Sequence, residues 1–467
     1  MLSVQRATMP KRKIALMPEV TLCICPAPPY TLAKQAESRM FRKILAMGMA
    51  ALLAGCVGGS GPVSPPTGGG VARTNAAITD EFISYIFETE GGVRIPRLLR
   101  YEGPVRVSLD GKLGHYRADL QGVLAGMRRQ SGIDIALTDG LAQIRILQVP
   151  AAALKQIYPT AACVVVPGVR SFAEVQRRQF PRWSQQAALT NAVVLIPDNA
   201  APYIIRACFN EEIAQALGPV NDQYRVSDTV FNDDNVFNTL TDYDHLILRL
   251  LYSPELSNGM GQAAVRTALP ALLARVNPAG QRGGSPARAD ARWKALIETA
   301  MNASNPRPAR LSAAEKAIMR ARRLGGHRLA HALLIYGRLT LQHQPALAAP
   351  AFQEAYQINL SQLGPNHLRT ALVAMHLAAV AVKAEDFAAV VTLTTPALAT
   401  AKRFNDPVLQ AGIQSLRALA FAHLGQNSSA EAARVDSLTQ ARYAFGGDAA
   451  QIASAQAQIE GLLPSNN

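Results

Sequence analysis

The chain has 467 residues and a mass of 49.9 kDa, with 49% apolar and 17% charged residues. That balance excludes a disordered chain and a coiled coil, and the length predicts two or three domains. Lys and Arg number 47 against 33 Asp and Glu, a formal charge of +14 that suits anionic neighbours.

The first organised signal lies at residues 40–56. Met40-Phe41-Arg42-Lys43 is basic, Ile44 to Ala54 is apolar or small throughout, and Leu53-Ala54-Gly55-Cys56 closes the run. Basic, apolar, then small is the order of a secretory signal peptide. The eleven residues of the apolar run rise only about 16 Å as a helix, too little for a bilayer core of about 30 Å. The Leu-Ala-Gly-Cys end resembles a bacterial lipobox. The resemblance implies cleavage before Cys56, lipidation of its thiol, and a mature chain in the bacterial cell envelope, lipid-anchored to a membrane and facing the periplasm. Residues 1–39 carry no periodic pattern and leave two readings: a mis-assigned start ahead of a true start at Met40, or a cytoplasmic extension. Residues 56–74, with their Gly and Pro, read as a tether. The chain from Cys56 onward keeps 39 basic and 31 acidic residues, net +8. That charge suits lipid head groups or cell-wall polymer, and nucleic acid is not an expected partner in that compartment. Cys163 and Cys208 are then the remaining thiols, either one disulfide or two buried free cysteines.

Residues 75–280 read as one α+β domain, a mixed sheet with helices. Asn75 to Phe87 has helical spacing. Strand-like runs follow at residues 104–109, 133–137, 144–149, 163–166 and 192–196, with a helix near Arg117 to Ser131 between the first two. From Tyr203 the pattern is helical until Gly218-Pro219. After the polar loop at residues 232–235, Thr241-Asp242-Tyr243-Asp244 has the form of a capping box ahead of another helix. A helix near Gln262 to Val276 closes the domain. Residues 281–310 have a linker composition with one short helix around Trp293.

Residues 311–467 read as an all-α solenoid. Gly364, Asn405 and Gly446 follow one another at 41-residue intervals, each ahead of a new helix, with two helices between turns. Leu363-Gly364-Pro365-Asn366-His367-Leu368-Arg369-Thr370-Ala371 resembles the long tetratricopeptide repeats of kinesin-light-chain type. The expected arrangement is three helix pairs plus a terminal helix from Ala449. A groove along the first helices would bind a peptide or protein partner, with Arg369, His376, Gln410, Gln414 and Arg417 on those helices. The alternative is an array that packs only on its own α+β domain.

A second resemblance runs over much of Ala76 to Arg275. Its residues are Arg206-Ala207-Cys208-Phe209-Asn210-Glu211-Glu212 to Gly218, Asn221-Asp222, Phe231 to Asn235, Leu240-Thr241, and Leu251-Tyr252-Ser253-Pro254 to Met260. They resemble a bacterial lipoprotein family known as domain of unknown function 2927, which brings no activity with it. The same segment resembles a degenerate metzincin helix. Glu212 matches the catalytic Glu, Gly218 the glycine, Asp222 lies one past the third ligand, and Met260 falls in a Met-turn place. Glu211 and Gln215 hold the two imidazole positions. A zinc hydrolase needs imidazoles there, a third ligand and an open position for water. A Gln amide is a weak ligand, so the expectation is a zincin-like scaffold with no metal or other cofactor. Three readings stay open for Glu211 and Glu212: a solvated face, a buried general acid or base, or a structural hydrogen bond under the loop at 232–235.

There is no phosphate-binding Gly-rich loop, Gly-x-Ser-x-Gly or Cys-x-x-Cys from Cys56 onward. His327 and His331 are four apart without a third ligand. Arg307 to Arg328 is a basic segment, read as a solvated face or a contact for anionic polymer. Together these features predict a membrane-tethered lipoprotein adaptor with a non-catalytic zincin-like domain. The rival is a metallopeptidase-like or other hydrolase using Glu212 as general base.

Overall fold

Alternation within the apolar runs builds the sheet. β1 (Val105–Leu109), β2 (Ile135–Leu137), β3 (Ile144–Val149), β4 (Val164–Pro167) and β5 (Ala192–Pro197) lie in the order β2-β1-β3-β5-β4. Successive side chains of a strand point to opposite faces. On β5, Ala192, Val194 and Ile196 enter the main core, while Val193 and Leu195 join Val149, Leu154, Val166 and Val175 in a smaller core on the other face. β1, β2, β3 and β5 run parallel to one another, and β4 runs antiparallel, to β5. The sheet is mixed, as the runs predict, but mostly parallel, so the region is α/β and not the α+β class expected. Alternation reveals burial on a face but not strand direction. Direction is set by the crossover between β1 and β2, which parallel pairing requires.

The structure is a computed structural model that describes residues 73–177, 182–232, 234, 236–281 and 290–447. The lipobox, Cys56, the expected tether up to residue 72, Asp233, Asn235 and the helix expected from Ala449 lie outside the described residues.

Seven helices accompany the sheet among the described residues: α1 (Asn75–Phe87), α2 (Arg117–Ser131), α3 (Ala151–Ile157), α4 (Phe172–Gln176), α5 (Pro202–Ala216), α6 (Asp242–Leu251) and α7 (Gln262–Val276). Thr74 caps α1 by accepting from the Ala77 N–H at 3.2 Å. Arg73, one residue earlier, is pinned. It pairs with Asp228 and with Glu81 at 3.5 Å, and its guanidinium lies 4.2 Å from the centre of the Tyr243 ring. Thr241 and Asp244 form the capping box of α6. A disulfide joins Cys163, just ahead of β4, to Cys208 on α5.

The rest of the described chain is helical: α8 (Ala291–Met301), α9 (Arg307–Leu324), α10 (His327–Thr340), α11 (Pro345–Leu363), α12 (Leu368–Lys383), α13 (Phe387–Arg403), α14 (Pro407–His423) and α15 (Asn427–Phe445). α10–α11, α12–α13 and α14–α15 are successive hairpins. Gly364, Asn405 and Gly446 follow α11, α13 and α15, with φ of +85°, +49° and +78°. Gly and Asn enter this left-handed region most easily, so the 41-residue period marks where a hairpin ends. The short helix expected around Trp293 is α8, and its Trp293 is buried with Ala313 and Ala317 of α9. Among the described residues, no helix is long and apolar enough to cross a membrane.

Candidate functional site

Helix α5 presents the segment that carries the degenerate zincin pattern. Pro202 sits in its first turn, where a missing N–H costs nothing. Ile205, Cys208, Phe209, Glu212, Ile213 and Ala216 form its buried face, so Glu212 lies on the core side and Glu211 is half-buried. Gln215 and Asp222 come together. The Gln215 amide nitrogen donates to both carboxylate oxygens of Asp222, each at 3.3 Å. Gly218 and Met260 serve packing. Gly218 has φ +137°, and a Cβ there would stand 2.6 Å from the Leu99 carbonyl oxygen and 2.8 Å from Leu251. The Met260 carbonyl accepts from the Leu98 N–H at 2.8 Å, and its sulfur accepts from the Ser257 N–H at 3.2 Å. Among the described residues, no three His, Cys, Asp or Glu side chains gather as a metal-binding set.

The larger polar assembly is a seam that sequence reasoning placed elsewhere. The loop after α5 packs on the inner side of the helical array. Arg369 of α12 donates from Nε to the Ser227 carbonyl at 2.6 Å, and its other nitrogens reach Asp234 Oδ2 at 2.6 Å and His331 Nδ1 at 3.4 Å. Burial raises the Asp234 pKa, and Arg369 pulls it back down. Burial and the Arg369 charge lower that of His331. Asp244 holds the loop from the other side, accepting from the Val230 N–H at 3.2 Å, the Thr241 N–H at 2.8 Å and the Thr229 hydroxyl. Phe237 meets the rings of His367 and Phe404 at 5.6 and 5.7 Å.

The residues expected along an open groove are spent inside the chain. Besides Arg369, His376 is buried with its ring 5.1 Å from Phe352. Gln410 donates to the Ala401 carbonyl at 3.4 Å, Gln414 to Asp436 at 2.9 Å, and Arg417 to Thr395 at 3.0 Å. Leu368, Ala371, Ala374, Leu409 and Ile413 belong to the same core as the sheet. His327, one of the paired histidines, contacts the Tyr224 carbonyl through Nε2 at 3.1 Å.

Residues 75–271 match the model of a family described as a protein of unknown function, DUF2927. The match covers the α/β region and leaves the helical array outside it. A comparison with curated proteins finds none that matches the chain.

The DUF2927 region is attached to the array at two further places. Lys294 of α8 donates to the backbone carbonyls of Glu90 and Asp222 at 3.2 and 3.5 Å. At the far end, Arg206 of α5 pairs with Asp119 at 3.1 Å, donates to the Tyr443 carbonyl at 3.1 Å, and lies 4.0 Å from the centre of the Tyr443 ring. Tyr203 meets Phe445 edge-on at 5.3 Å. Arg206 is the one Lys or Arg between Tyr203 and Gly218. That was the available signal, but nothing local names Tyr443 as its partner.

Proposed function

We propose that this chain is a lipoprotein of the bacterial cell envelope, held to a membrane through Cys56 and facing the periplasm. It acts there as a protein-interaction adaptor and not as a hydrolase. In this reading the DUF2927 region keeps a zincin-like scaffold without its metal, and the helical array is a tetratricopeptide-like solenoid.

The observation that carries the reading is the Gln215–Asp222 hydrogen bond. Gln215 stands at an imidazole position, and Asp222 is the acid next to the third-ligand position. Each satisfies the other, and the amide offers zinc only a weak oxygen donor. Support for the adaptor half comes from the array. It is tied to the DUF2927 region through Lys294, Arg369 and Arg206, so a partner held on its uncovered faces would keep a fixed orientation to that region. The partner surface lies away from Arg369, which is already engaged.

The test uses the whole chain in a bacterial host. Cys56→Ser should leave it unprocessed or release it from the membrane fraction. A photo-cross-linker at Thr392 or Ala399, both exposed on α13, should capture one reproducible envelope protein. One tightly bound zinc per chain, together with peptidase activity lost in Glu212→Ala, would overturn the reading in favour of the hydrolase.

A further inference from the structure

A cleft of about 290 Å³ opens where the DUF2927 region meets the end of the array. It is bounded by α2, α5, residues 238–240, and Asn405, Pro407 and Tyr443 of the array. Its volume is at the small end of the range for ligand pockets, about 300–1,000 Å³.

Two features of the cleft are unexplained by the fold itself. The first is its floor. Gly122 and Gly126 lie one turn apart in the middle of α2, where Gly costs about 1 kcal/mol relative to Ala. Neither is needed for packing, because a Cβ at either position would meet nothing within 4 Å. The bare helix backbone faces open space, which a closely approaching ligand would use. The second feature is a set of uncommitted polar groups. His245 of α6 is only 5% exposed and lines the cleft, and its Nδ1 bonds the Ser131 hydroxyl at 3.0 Å. Its Nε2 has no partner among the described residues. The side chains of Asn238, Thr239 and Asn405 also line the cleft and are not bonded to protein groups among the described residues. Asn210, by contrast, is spent at both ends, donating to the Arg206 carbonyl at 2.9 Å and accepting from the Leu240 N–H at 3.3 Å.

Charge narrows the ligand class. The charged side chains in the lining are Asp119 and Arg206, and they neutralise each other at 3.1 Å. A charged ligand would have to break that pair, whereas a neutral one need not. Neutral amides, a hydroxyl and an imidazole offer both donors and acceptors, as hydroxyl groups require. Tyr203 and Tyr443 supply ring surface at the rim.

We propose that this cleft binds a neutral carbohydrate, with His245, Asn238, Thr239 and Asn405 holding its hydroxyl groups and the bare Gly122–Gly126 face of α2 as its floor. The site goes beyond the adaptor reading and does not depend on it.

The test is titration of the whole mature chain, followed by calorimetry and NMR. The probes are glucose, N-acetylglucosamine and its β-1,4 disaccharide, with glucuronate and glutamate as charged controls. At least one neutral sugar should bind saturably with Kd below ~10 mM. Gly126→Leu puts a side chain where an added Cβ meets nothing within 4 Å, so it should weaken binding at least about tenfold while leaving the melting temperature unchanged or higher. Thr239→Val keeps the shape and removes the hydroxyl, and it should weaken binding too. The proposal is overturned if no neutral sugar saturates, if Gly126→Leu binds as well as the parent, or if a charged control binds more tightly than every neutral probe. None of these outcomes bears on Cys56 lipidation or on cross-linking through α13, so the two readings fail separately.

Discussion

Arg369 on the array and Asp234 on the DUF2927 loop face each other at 2.6 Å, with side chains only 4% and 2% exposed. The two charges have exchanged water for one another and for the Ser227 carbonyl. This pair explains why the expected groove is closed at this point. A cation placed for a partner is already neutralised by the chain's own loop.

Removing one partner of a buried pair costs about 3–5 kcal/mol, because the other charge is left without compensation. Arg369→Ala should therefore destabilise the chain by about that amount in urea unfolding. Arg369→Ala combined with Asp234→Ala should cost clearly less than the sum of the two single changes. Additive costs would mean that the pair does not hold the seam.

Acid should loosen the protein. Burial lowers the pKa of His245 and His367 to about 4 and of His327 and His376 to about 3, and it lowers that of His331 as well. An unfolded histidine takes up its proton near pH 6.5. These five contributions are therefore fully present above that pH. They are lost as pH falls from about 6.5 toward 4, each by at most about 1.4 kcal/mol per unit. Four carboxyls oppose this, because burial raises Asp244 to about 6 and raises Glu81, Asp234 and Asp406. The folded state binds their protons first, so each restores stability as pH falls through its raised pKa, about 6 for Asp244. Asp244 begins to offset the histidines only near pH 6. The urea midpoint should drop between pH 7.5 and 5.5, and His376→Leu should reduce the drop by about one proton's worth. A midpoint that stays level or rises over this range would count against buried neutral histidines.

The Cys163–Cys208 disulfide spans 45 residues of sequence. Loop entropy for such a span gives on the order of 4 kcal/mol, and native strain can reduce it. Cys163→Ser with Cys208→Ala should lower stability by a few kcal/mol. Protein purified and unfolded without reductant should show no alkylation at either position. Full alkylation of both thiols would refute the bridge.

Gly218→Ala tests the backbone packing behind α5. Its φ of +137° and the Leu99 carbonyl, which would stand 2.6 Å from an added Cβ, leave no unstrained place for a methyl group. A loss of at least about 1–3 kcal/mol is expected by calorimetry. By comparison, Gly126→Ala on α2 should be neutral or stabilising, since that Cβ meets open space.

The sequence by itself determined the local elements. Alternating runs set β1 and β3 and a continuous apolar run set β5 to within a residue, and helical spacing together with Thr241-Asp244 set α1, α6 and α7. The 41-residue interval found the three left-handed turns at Gly364, Asn405 and Gly446, because so few residues accept positive φ. These signals are short-range, and each is written in residues that are neighbours along the chain. Tertiary structure decided everything that depends on which surfaces meet. It made the sheet mostly parallel, buried Trp293 of α8 against α9, and gave Arg369 to Asp234 and Arg206 to Tyr443. Periodicity records that a face is buried but not what buries it. Arg369 therefore read as an open-groove cation until a loop some 135 residues away occupied its place.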